Sequence, residues 1–228
     1  MILGSGLLAT SFSPAFARSD DVMIYAAGVS NSSCTDRQEF ERERIRLTAS
    51  LQAARAVRTF VYFSTCSLLD LELADKPYGS HKNAMEGLVR GHPGHLILRL
   101  PQLAGRSANP HTLLNYLHAR ISRSERFAIW SRATRNIIDV DDVVRIARYL
   151  IDAELSGDTL NVANTQSYPI KYIVSTLEQV CGKKAVYDVV EKGASYPVDV
   201  KRIEPILTEA RVTFPSSYLQ TVLQKYYG

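Results

Sequence analysis

The sequence predicts an α/β fold built around a parallel sheet, and three observations lead to that prediction. Short apolar segments alternate with longer amphipathic ones along most of the 228 residues, which is the order of strands and helices joined by right-handed crossovers. A chain of this length buries a full core as one domain, or as one domain with a small appendage. Hydrophobic residues make up 46% of the chain and charged residues 22%, an ordinary balance for a globular protein.

The charge balance argues against a nucleic-acid partner. The net charge of +4 comes from 27 basic and 23 acidic residues, which are interspersed without a basic tract. Only the pI near 8.9 favours nucleic acid. The cysteines, Cys34, Cys66 and Cys181, are far apart and show no metal-ligand spacing. We therefore expect no metal site and a cytoplasmic location.

The N-terminal residues 1–17 are apolar and end in Ala15-Phe16-Ala17, which imitates the cleavage site of a signal peptide. No Lys or Arg precedes the apolar part, so the positively charged start of a signal peptide is missing. No other segment has the ~20 apolar residues needed to span a bilayer. We expect neither a signal peptide nor a membrane interaction.

The first strand, residues 1–3, is very short and runs into a glycine-rich turn. Residues 4–9 read Gly-Ser-Gly-Leu-Leu-Ala and match the pattern G-x-G-x-x-A. In that pattern the glycines let the backbone approach a pyrophosphate, and the helix N-terminus attracts its charge. The alternative is a plain glycine-containing turn. The residues expected to contact a dinucleotide here are Gly4, Gly6, Leu7 and Leu8.

The second strand covers residues 22–28 and ends in Ala26, Ala27 and Gly28. Small residues at the carboxyl end of a parallel strand leave room for a ligand. Apolar residues at helical spacing then predict a long amphipathic helix over 36–58. Its charged run from Glu39 to Arg46 is expected to be a solvated face carrying i,i+4 pairs, in preference to an arm that binds nucleic acid.

The third strand, residues 59–63, ends in a run of polar side chains, Ser64-Thr65-Cys66-Ser67. A helix follows over 78–90, with Pro77 suited to its first position. Tyr78 and Lys82 are four residues apart and share one face of that helix. An ammonium beside a phenol lowers the phenol's pKa from about 10, and a hydroxyl from the strand end could orient a substrate oxygen. The pattern predicts a proton-transfer site; the alternative is an exposed helical pair.

The rest of the chain continues the alternation more loosely. His92 and His95 lie in a predicted turn and are expected to be surface residues, because no third metal ligand is evident. Three aspartates at 139, 141 and 142 are expected to cap a helix, in preference to binding a metal. The predicted elements are strands 96–101, 127–130, 135–140, 159–163 and 185–190, helices 110–121, 141–153 and 168–181, and two short helices at the end.

Several of these pieces, in this order, resemble an extended short-chain dehydrogenase/reductase of the NAD-dependent epimerase/dehydratase family. Each motif is modest alone, but together they span nearly the whole chain. The order is the stronger argument: a strand that ends in hydroxyls, then Tyr-x-x-x-Lys, then a strand reading Leu-Arg-Leu-Pro. The motifs are GSGLLA (4–9), AAG (26–28), STCS (64–67), YGSHK (78–82), LRLPQLAG (98–105) and RNIIDVDDV (135–143).

The resemblance implies a Rossmann-like parallel sheet with a small mixed C-terminal substrate lobe. The expected cofactor domain is 1–105, to which 136–165 returns, and the expected substrate lobe is 106–135 with 166–228. The chain departs from the family, since only about a dozen residues separate the glycine turn from the next strand. The family usually has two more strands there and an acidic residue roughly 20 positions after the glycines. We therefore expect strands two and three of the sheet to be lacking.

The resemblance also implies roles for the proton-transfer residues. Tyr78 would be the general acid/base, and Lys82 would hold the nicotinamide ribose and lower the pKa of Tyr78. The catalytic hydroxyl falls on Thr65, while a shift of one or two residues would choose Cys66 or Ser67. The other implied contacts are Ala26, Ala27, Gly28 and Pro101 with NAD or NADP, and Ser67 and Arg135 with a nucleotide-sugar.

The function implied by the family is NAD(P)-dependent epimerisation, dehydration or reduction of a nucleotide-sugar. A homodimer formed through the helix at 36–58 and the Tyr78 helix is the family's expectation. The alternative is a degenerate relative that binds a nucleotide-sugar or a partner protein without catalysis, because the adenosine half of the cofactor site is cut down.

Overall fold

The computed structural model describes residues 1–70, 74–193 and 195–228. The strands are β1 (Ile2–Leu3), β2 (Val22–Tyr25), β3 (Thr59–Thr65), β4 (His95–Leu100), β5 (Gln102–Ala104), β6 (Phe127–Trp130), β7 (Thr134–Asp139), β8 (Asp158–Asn161), β9 (Ser167–Pro169) and β10 (Tyr187–Val190). The helices are α1 (Leu7–Phe16), α2 (Arg37–Ala53), α3 (Pro77–Val89), α4 (Leu113–Ser122), α5 (Val140–Asp152), α6 (Ile170–Cys181), α7 (Glu204–Leu207) and α8 (Tyr218–Tyr227), with a 3-10 helix at Cys66–Leu69.

A five-stranded sheet in the order β1-β2-β3-β4-β8 forms the centre of the molecule. Every neighbouring pair in this sheet is parallel, which confirms the predicted α/β fold. β3 is buried along its whole length, as expected of a strand covered by helices on both faces. The carboxyl ends of β1 to β4 therefore meet at one edge, where ligands of open α/β sheets bind.

The sheet is shortened on the side of β1. Within the described residues β1 pairs only with β2, and α1 leads through residues 17–21 directly into β2. A longer sheet of this type would place two strands beyond β1. The expected lack of strands two and three is confirmed.

Helices cover both faces of the central sheet. On one face α1 and α5 pack together, and the N-terminal apolar stretch contributes Phe12 and Phe16 to this core. On the other face α2 and α3 pack against the aromatic side chains of Tyr25 and Tyr62. This second face carries the Tyr78 helix and brings it against the end of β3.

Beside the central sheet lie a three-stranded sheet, β5-β7-β9, and a two-stranded sheet, β10-β6. β7 is parallel to β5 and antiparallel to β9, so this part is mixed. Helix α6 begins at Ile170, two residues later than predicted, because Tyr168 is paired with Arg135 in β9. No helix within the described residues is both long and apolar enough to span a membrane.

The prediction that His92 is a surface residue is wrong, because His92 is only 4% exposed. Its Nε2 lies 2.9 Å from the carbonyl oxygen of Ala54, and its Nδ1 accepts a hydrogen bond from the Gly94 amide at 3.1 Å. His92 therefore ties the turn before β4 to the end of α2. The sequence of this turn gives no indication of the long-range contact between His92 and Ala54.

Candidate active site

A cavity of about 410 Å³ opens at the carboxyl ends of β1 to β4, within the range of ~300–1,000 Å³ common for small-molecule sites. It brings together most of the residues that the sequence nominated, from the glycine turn to the Tyr78 helix. Arg135 does not line it. The nominated residues along its wall are Gly4, Gly6, Leu7, Leu8, Ala26, Ala27, Gly28, Thr65, Ser67, Tyr78, Lys82 and Pro101.

The two glycines of the turn differ in the space around them, since Gly4 is crowded and Gly6 is open. Gly4 has a φ of +132°, and a Cβ there would collide with the carbonyl of Ala26, so only glycine fits between the ends of β1 and β2. Gly6 is the N-cap of α1 and has open space where its Cβ would be. No side chain caps this helix, so its first amide groups are available to an anion in the cavity.

Tyr78 lies in the first turn of α3 and is 8% exposed. Burial and the negative charge of Glu43 raise the pKa of Tyr78, and the Thr65 side chain acts in the opposite direction. The sequence predicted that Lys82 lowers the pKa of Tyr78, but the pKa of Tyr78 is raised in the folded chain. Desolvation of the phenolate is the physical reason.

Lys82 is buried one turn further along α3. Its Nζ donates to the hydroxyl of Tyr62 at 3.0 Å, to Oε1 of Glu43 at 3.2 Å and to the carbonyl of Phe63 at 3.4 Å. Burial lowers the pKa of Lys82, and the charge of Glu43 opposes that shift. The ammonium therefore lies in the cavity wall with Glu43 as its counter-charge.

Glu43 is a residue that the sequence interpretation missed. It lies inside the run expected to be solvated, yet its side chain is only 1% exposed. Burial alone would raise the pKa of Glu43, but bonding with His81 and the charge of Lys82 outweigh it and lower the pKa to about 2. The spacing of Glu43 from the buried Leu47, four residues later on the same helix face, is the signal that could have identified it.

The rest of that run is solvated, as predicted. Its pairs are Arg42 with Glu39 and Arg44 with Glu41, both at i,i+3 spacing in place of the expected i,i+4. The side chains of these pairs are between 44% and 67% exposed, so they contribute little to stability.

The polar run after β3 divides between the cavity and the core. Thr65 ends the strand, and its Oγ1 accepts a hydrogen bond from the Ser67 amide at 3.1 Å. Both residues line the cavity, whereas Cys66 does not. The Cys66 thiol donates to the carbonyl of Arg99, and burial raises the pKa of that thiol to about 12. Ser64 also lines the cavity, but its hydroxyl oxygen is buried, so Thr65 and Ser67 are the hydroxyls of this run that are available to a ligand.

Arg135, the nominated substrate arginine, lies outside this wall, and its charge acts on the side chain of Tyr196. Nη1 of Arg135 donates to the carbonyl of Thr134 at 2.7 Å. Burial raises the pKa of Tyr196, while bonding with Ser67 and the charge of Arg135 lower it. Tyr196 thus interacts with Ser67 and lies within electrostatic range of Arg135, and no sequence motif pointed to it.

The aspartates before α5 form a helix cap, as predicted. The Asp139 side chain accepts from the Asp141 amide at 2.9 Å, and Lys225 bonds both carboxylates at 2.7 Å. Across the described ranges, no group of three or more His, Cys, Asp or Glu side chains is arranged to hold a metal ion.

Comparisons with known proteins agree with this geometry. The sequence matches the NAD dependent epimerase/dehydratase family over residues 8–163. A comparison with curated protein sequences finds no match.

Solved structures of this family share the fold. UDP-glucuronic acid 4-epimerase from Bacillus cereus, in complex with UDP-glucuronic acid and NAD, is 20% identical, with a TM-score of 0.75 over 91% of this chain and 74% of that chain. A UDP-galactose 4-epimerase is 19% identical, with a TM-score of 0.73 over 95% of this chain and 80% of that chain.

A third structure, RMD from Pseudomonas aeruginosa complexed with NADPH, is 17% identical, with a TM-score of 0.75 over 99% of this chain and 97% of that chain. At these identities the likeness establishes the fold. The family match covers more than half of the chain and contains both the hydroxyl-bearing strand end and Tyr78 with Lys82. The chain belongs to the NAD-dependent epimerase/dehydratase family.

Proposed function

We propose that this protein epimerises, dehydrates or reduces a nucleotide-activated sugar, with Tyr78 as the residue that moves the proton. The observation that carries the proposal is the burial of Tyr78, Lys82 and Thr65 along the same cavity that the glycine turn opens. A module that only binds has no need for this combination. General acid-base residues are effective when such a wall holds them beside the substrate.

The cavity fits NAD or NADP at the pyrophosphate and nicotinamide ends. The uncapped start of α1 and the open space at Gly6 suit a pyrophosphate. Lys82 and Tyr78 would hold the nicotinamide ribose, and Pro101 and Ala27 would border the same cavity. The nicotinamide ring, when bound, supplies reversible redox chemistry at a sugar carbon.

The chain's own residues would handle the proton. The phenolate of Tyr78 takes a proton from a sugar hydroxyl and becomes the phenol, and in the reverse direction the phenol returns that proton. The Thr65 hydroxyl donates a hydrogen bond to the same sugar oxygen and orients it. The Lys82 ammonium stabilises the phenolate, which burial alone would disfavour.

A nucleotide-sugar is the substrate class that the second lobe favours. The guanidinium of Arg135 matches a diphosphate, since its planar fork forms two parallel hydrogen bonds. Ser67 lies on the cavity wall with Thr65, and Tyr196 interacts with Ser67 and is within electrostatic range of Arg135. The Bacillus cereus relative is in complex with UDP-glucuronic acid, which supports this class without naming the sugar.

We also propose a homodimer that forms through α2 and α3, because Ile45 and Leu88 on these helices are 58% and 39% exposed. Residues 1–105 with 136–165 would form the cofactor domain, and 106–135 with 166–228 the substrate lobe. The free thiols of Cys34, Cys66 and Cys181 agree with a cytoplasmic location.

A panel of nucleotide-sugars with NAD and NADP tests the proposal, using the intact chain and its Tyr78→Phe variant. Both proteins are assayed for product and for change in nicotinamide absorbance. We expect the wild type to convert at least one member and the variant to lose about 10²–10⁴-fold in kcat. Undiminished turnover by Tyr78→Phe would overturn the role of Tyr78. Absence of NAD and NADP binding at millimolar concentration would favour the non-catalytic alternative.

A further inference from the structure

Glu43 connects three elements of the cavity wall through its carboxylate. Oε1 accepts from the Tyr62 hydroxyl at 2.8 Å and from Lys82 Nζ at 3.2 Å. Oε2 accepts from the Val29 amide at 2.7 Å and lies 2.9 Å from Nε2 of His81. We call Glu43 with these four partners the Glu43 cluster.

The cluster satisfies the carboxylate completely. A carboxylate offers about four lone-pair sites, and each oxygen of Glu43 has two partners. The ring of Phe40 stacks on His81 with centroids 4.5 Å apart and holds that histidine in place. The carboxylate is therefore fixed in one position.

The backbone of Gly28 packs closely against Lys82 and this carboxylate. A Cβ on Gly28 would lie 2.7 Å from Lys82 Nζ and 2.8 Å from Glu43 Oε1. The backbone of Gly28 therefore lies against one side of the ion pair. Because Val29 is bonded to Glu43 and lines the cavity, the same carboxylate fixes the loop after β2 beside Lys82.

The charged and titratable groups around this ion pair come from four elements. Among residues 1–70, 74–193 and 195–228, only Glu43 places a negative charge in hydrogen-bond contact with Lys82. The groups that interact with Glu43 or Lys82 are Tyr25 of β2, Tyr62 of β3, and Tyr78, His81 and Glu86 of α3, and Arg46 of α2 acts on Tyr25.

We propose that Glu43 is a positioning residue of the active site, which holds Lys82 in the cavity wall and keeps it an ammonium beside Tyr78. This inference rests on the proposed function, because Lys82 acts there through its charge. A lysine buried this completely would lose its proton readily if no counter-charge were present. Burial of an ion pair is rarely needed for stability, since apolar side chains of similar volume do as well.

A pair of variants separates positioning from plain stability. Glu43→Gln keeps the shape and removes the charge. Glu86→Gln removes a buried carboxylate of the same helix, α3, that bonds Arg99 and Arg90 in place of Lys82. Both variants are to be matched for folding by circular dichroism and thermal unfolding.

The pH dependence of kcat/KM distinguishes the two variants. The charge of Glu43 raises the pKa values of both Tyr78 and Lys82, so its removal lowers both. We expect Glu43→Gln to move both limbs of the profile to lower pH by about one unit and to lower kcat with little change in the KM for the sugar. Glu86→Gln should leave the acid limb in place. Equal profiles for wild type and Glu43→Gln would overturn the proposal.

A readout that needs no turnover is the titration of Lys82 itself. Chains labelled with ¹³C at lysine Cε are followed by NMR from pH 6 to 11, and Lys82→Arg identifies the signal. We expect Lys82 of the wild type to be an ammonium at pH 7 and its midpoint to fall by about one unit or more in Glu43→Gln. A neutral Lys82 at pH 7 in the wild type would overturn the proposal, even if Glu43→Gln fails to fold. An inactive wild type with the expected titration would count against the proposed function alone.

Discussion

The two ends of the cavity are built very differently. At the proposed catalytic end, Tyr78 and Lys82 are buried against a seven-residue strand, and Lys82 is bonded to Glu43. At the cofactor end, a two-residue strand at the sheet edge leads into the glycine turn. The catalytic end is held by buried hydrogen bonds from several elements, while the cofactor end offers mainly backbone.

This difference separates two tasks that the family usually combines. The proton-transfer geometry needs only β2, β3, α2 and α3, all of which are present. The adenosine half of a dinucleotide needs the strands that would follow α1, and the chain passes from α1 directly into β2. We therefore expect most cofactor affinity to come from the pyrophosphate and nicotinamide groups.

The catalytic end is tested most strongly at the end of β3. Thr65→Val keeps the shape of the side chain and removes the hydroxyl that would orient the sugar oxygen. We expect kcat to fall about 10²-fold, with Thr65→Ser near the wild type. Steady-state assays on the converted sugar measure both variants.

The controls for that prediction are Cys66→Ala and Ser67→Ala. Cys66 faces Arg99 and lies outside the cavity wall, so its removal should leave kcat almost unchanged. A normal kcat in Thr65→Val together with a large loss in Ser67→Ala would assign the hydroxyl to Ser67.

Low pH should lower the stability of the folded chain, because it protonates the Glu43 carboxylate at the catalytic end. The pKa of Glu43 is about 2 in the folded chain, against an ordinary value of 4.5, so its stabilising effect is complete above pH 4.5 and is lost as the pH falls towards 2. Between pH 6 and pH 3 the free energy of unfolding of the wild type should drop by about 2 kcal/mol more than that of Glu43→Gln. Urea unfolding at both pH values measures this. Parallel losses in the two proteins would show that Glu43 is not a buried anion.

The cofactor end should respond to a change that leaves the fold intact. A Cβ at Gly6 meets nothing within 4 Å, so Gly6→Ala should cost less than about 1 kcal/mol of stability. The methyl group enters the space expected for the pyrophosphate, and we expect the KM for cofactor to rise about tenfold, a loss of about 1.4 kcal/mol.

Gly87→Ala is the matched control for Gly6→Ala. Gly87 lies within α3 and also has open space at its Cβ position. Its replacement should raise helix stability slightly and leave the KM for cofactor unchanged. An unchanged KM in Gly6→Ala would remove the glycine turn from the cofactor site.

Much of the fold follows from local patterns in the sequence. The alternation of apolar and amphipathic segments predicted the parallel sheet, and the short spacing before Val22 predicted the shortened edge. β5 and β9 were not predicted, because each has three residues and depends on pairing with β7. A three-residue strand carries almost no periodic signal.

Residues of the candidate site that belong to a sequence motif could be predicted, whereas residues whose position depends on tertiary packing could not. Tyr78, Lys82 and the glycine turn have recognisable spacing. Glu43 lies among surface charges in sequence, and only the packing of α2 against α3 and β3 turns it towards Lys82. The raised pKa of Tyr78 escaped prediction for the same reason, since the depth of burial is a property of the folded chain.

The contrast between the two ends is tested most directly by calorimetric titration of the wild-type chain with NAD and with nicotinamide mononucleotide. The mononucleotide lacks the adenosine and one phosphate of the pyrophosphate, and it keeps the other phosphate and the nicotinamide end proposed to face Tyr78 and Lys82. We predict dissociation constants within about tenfold of each other, a difference of about 1.4 kcal/mol. Binding of NAD more than about 10³-fold tighter, or about 4 kcal/mol, would contradict a shortened cofactor site.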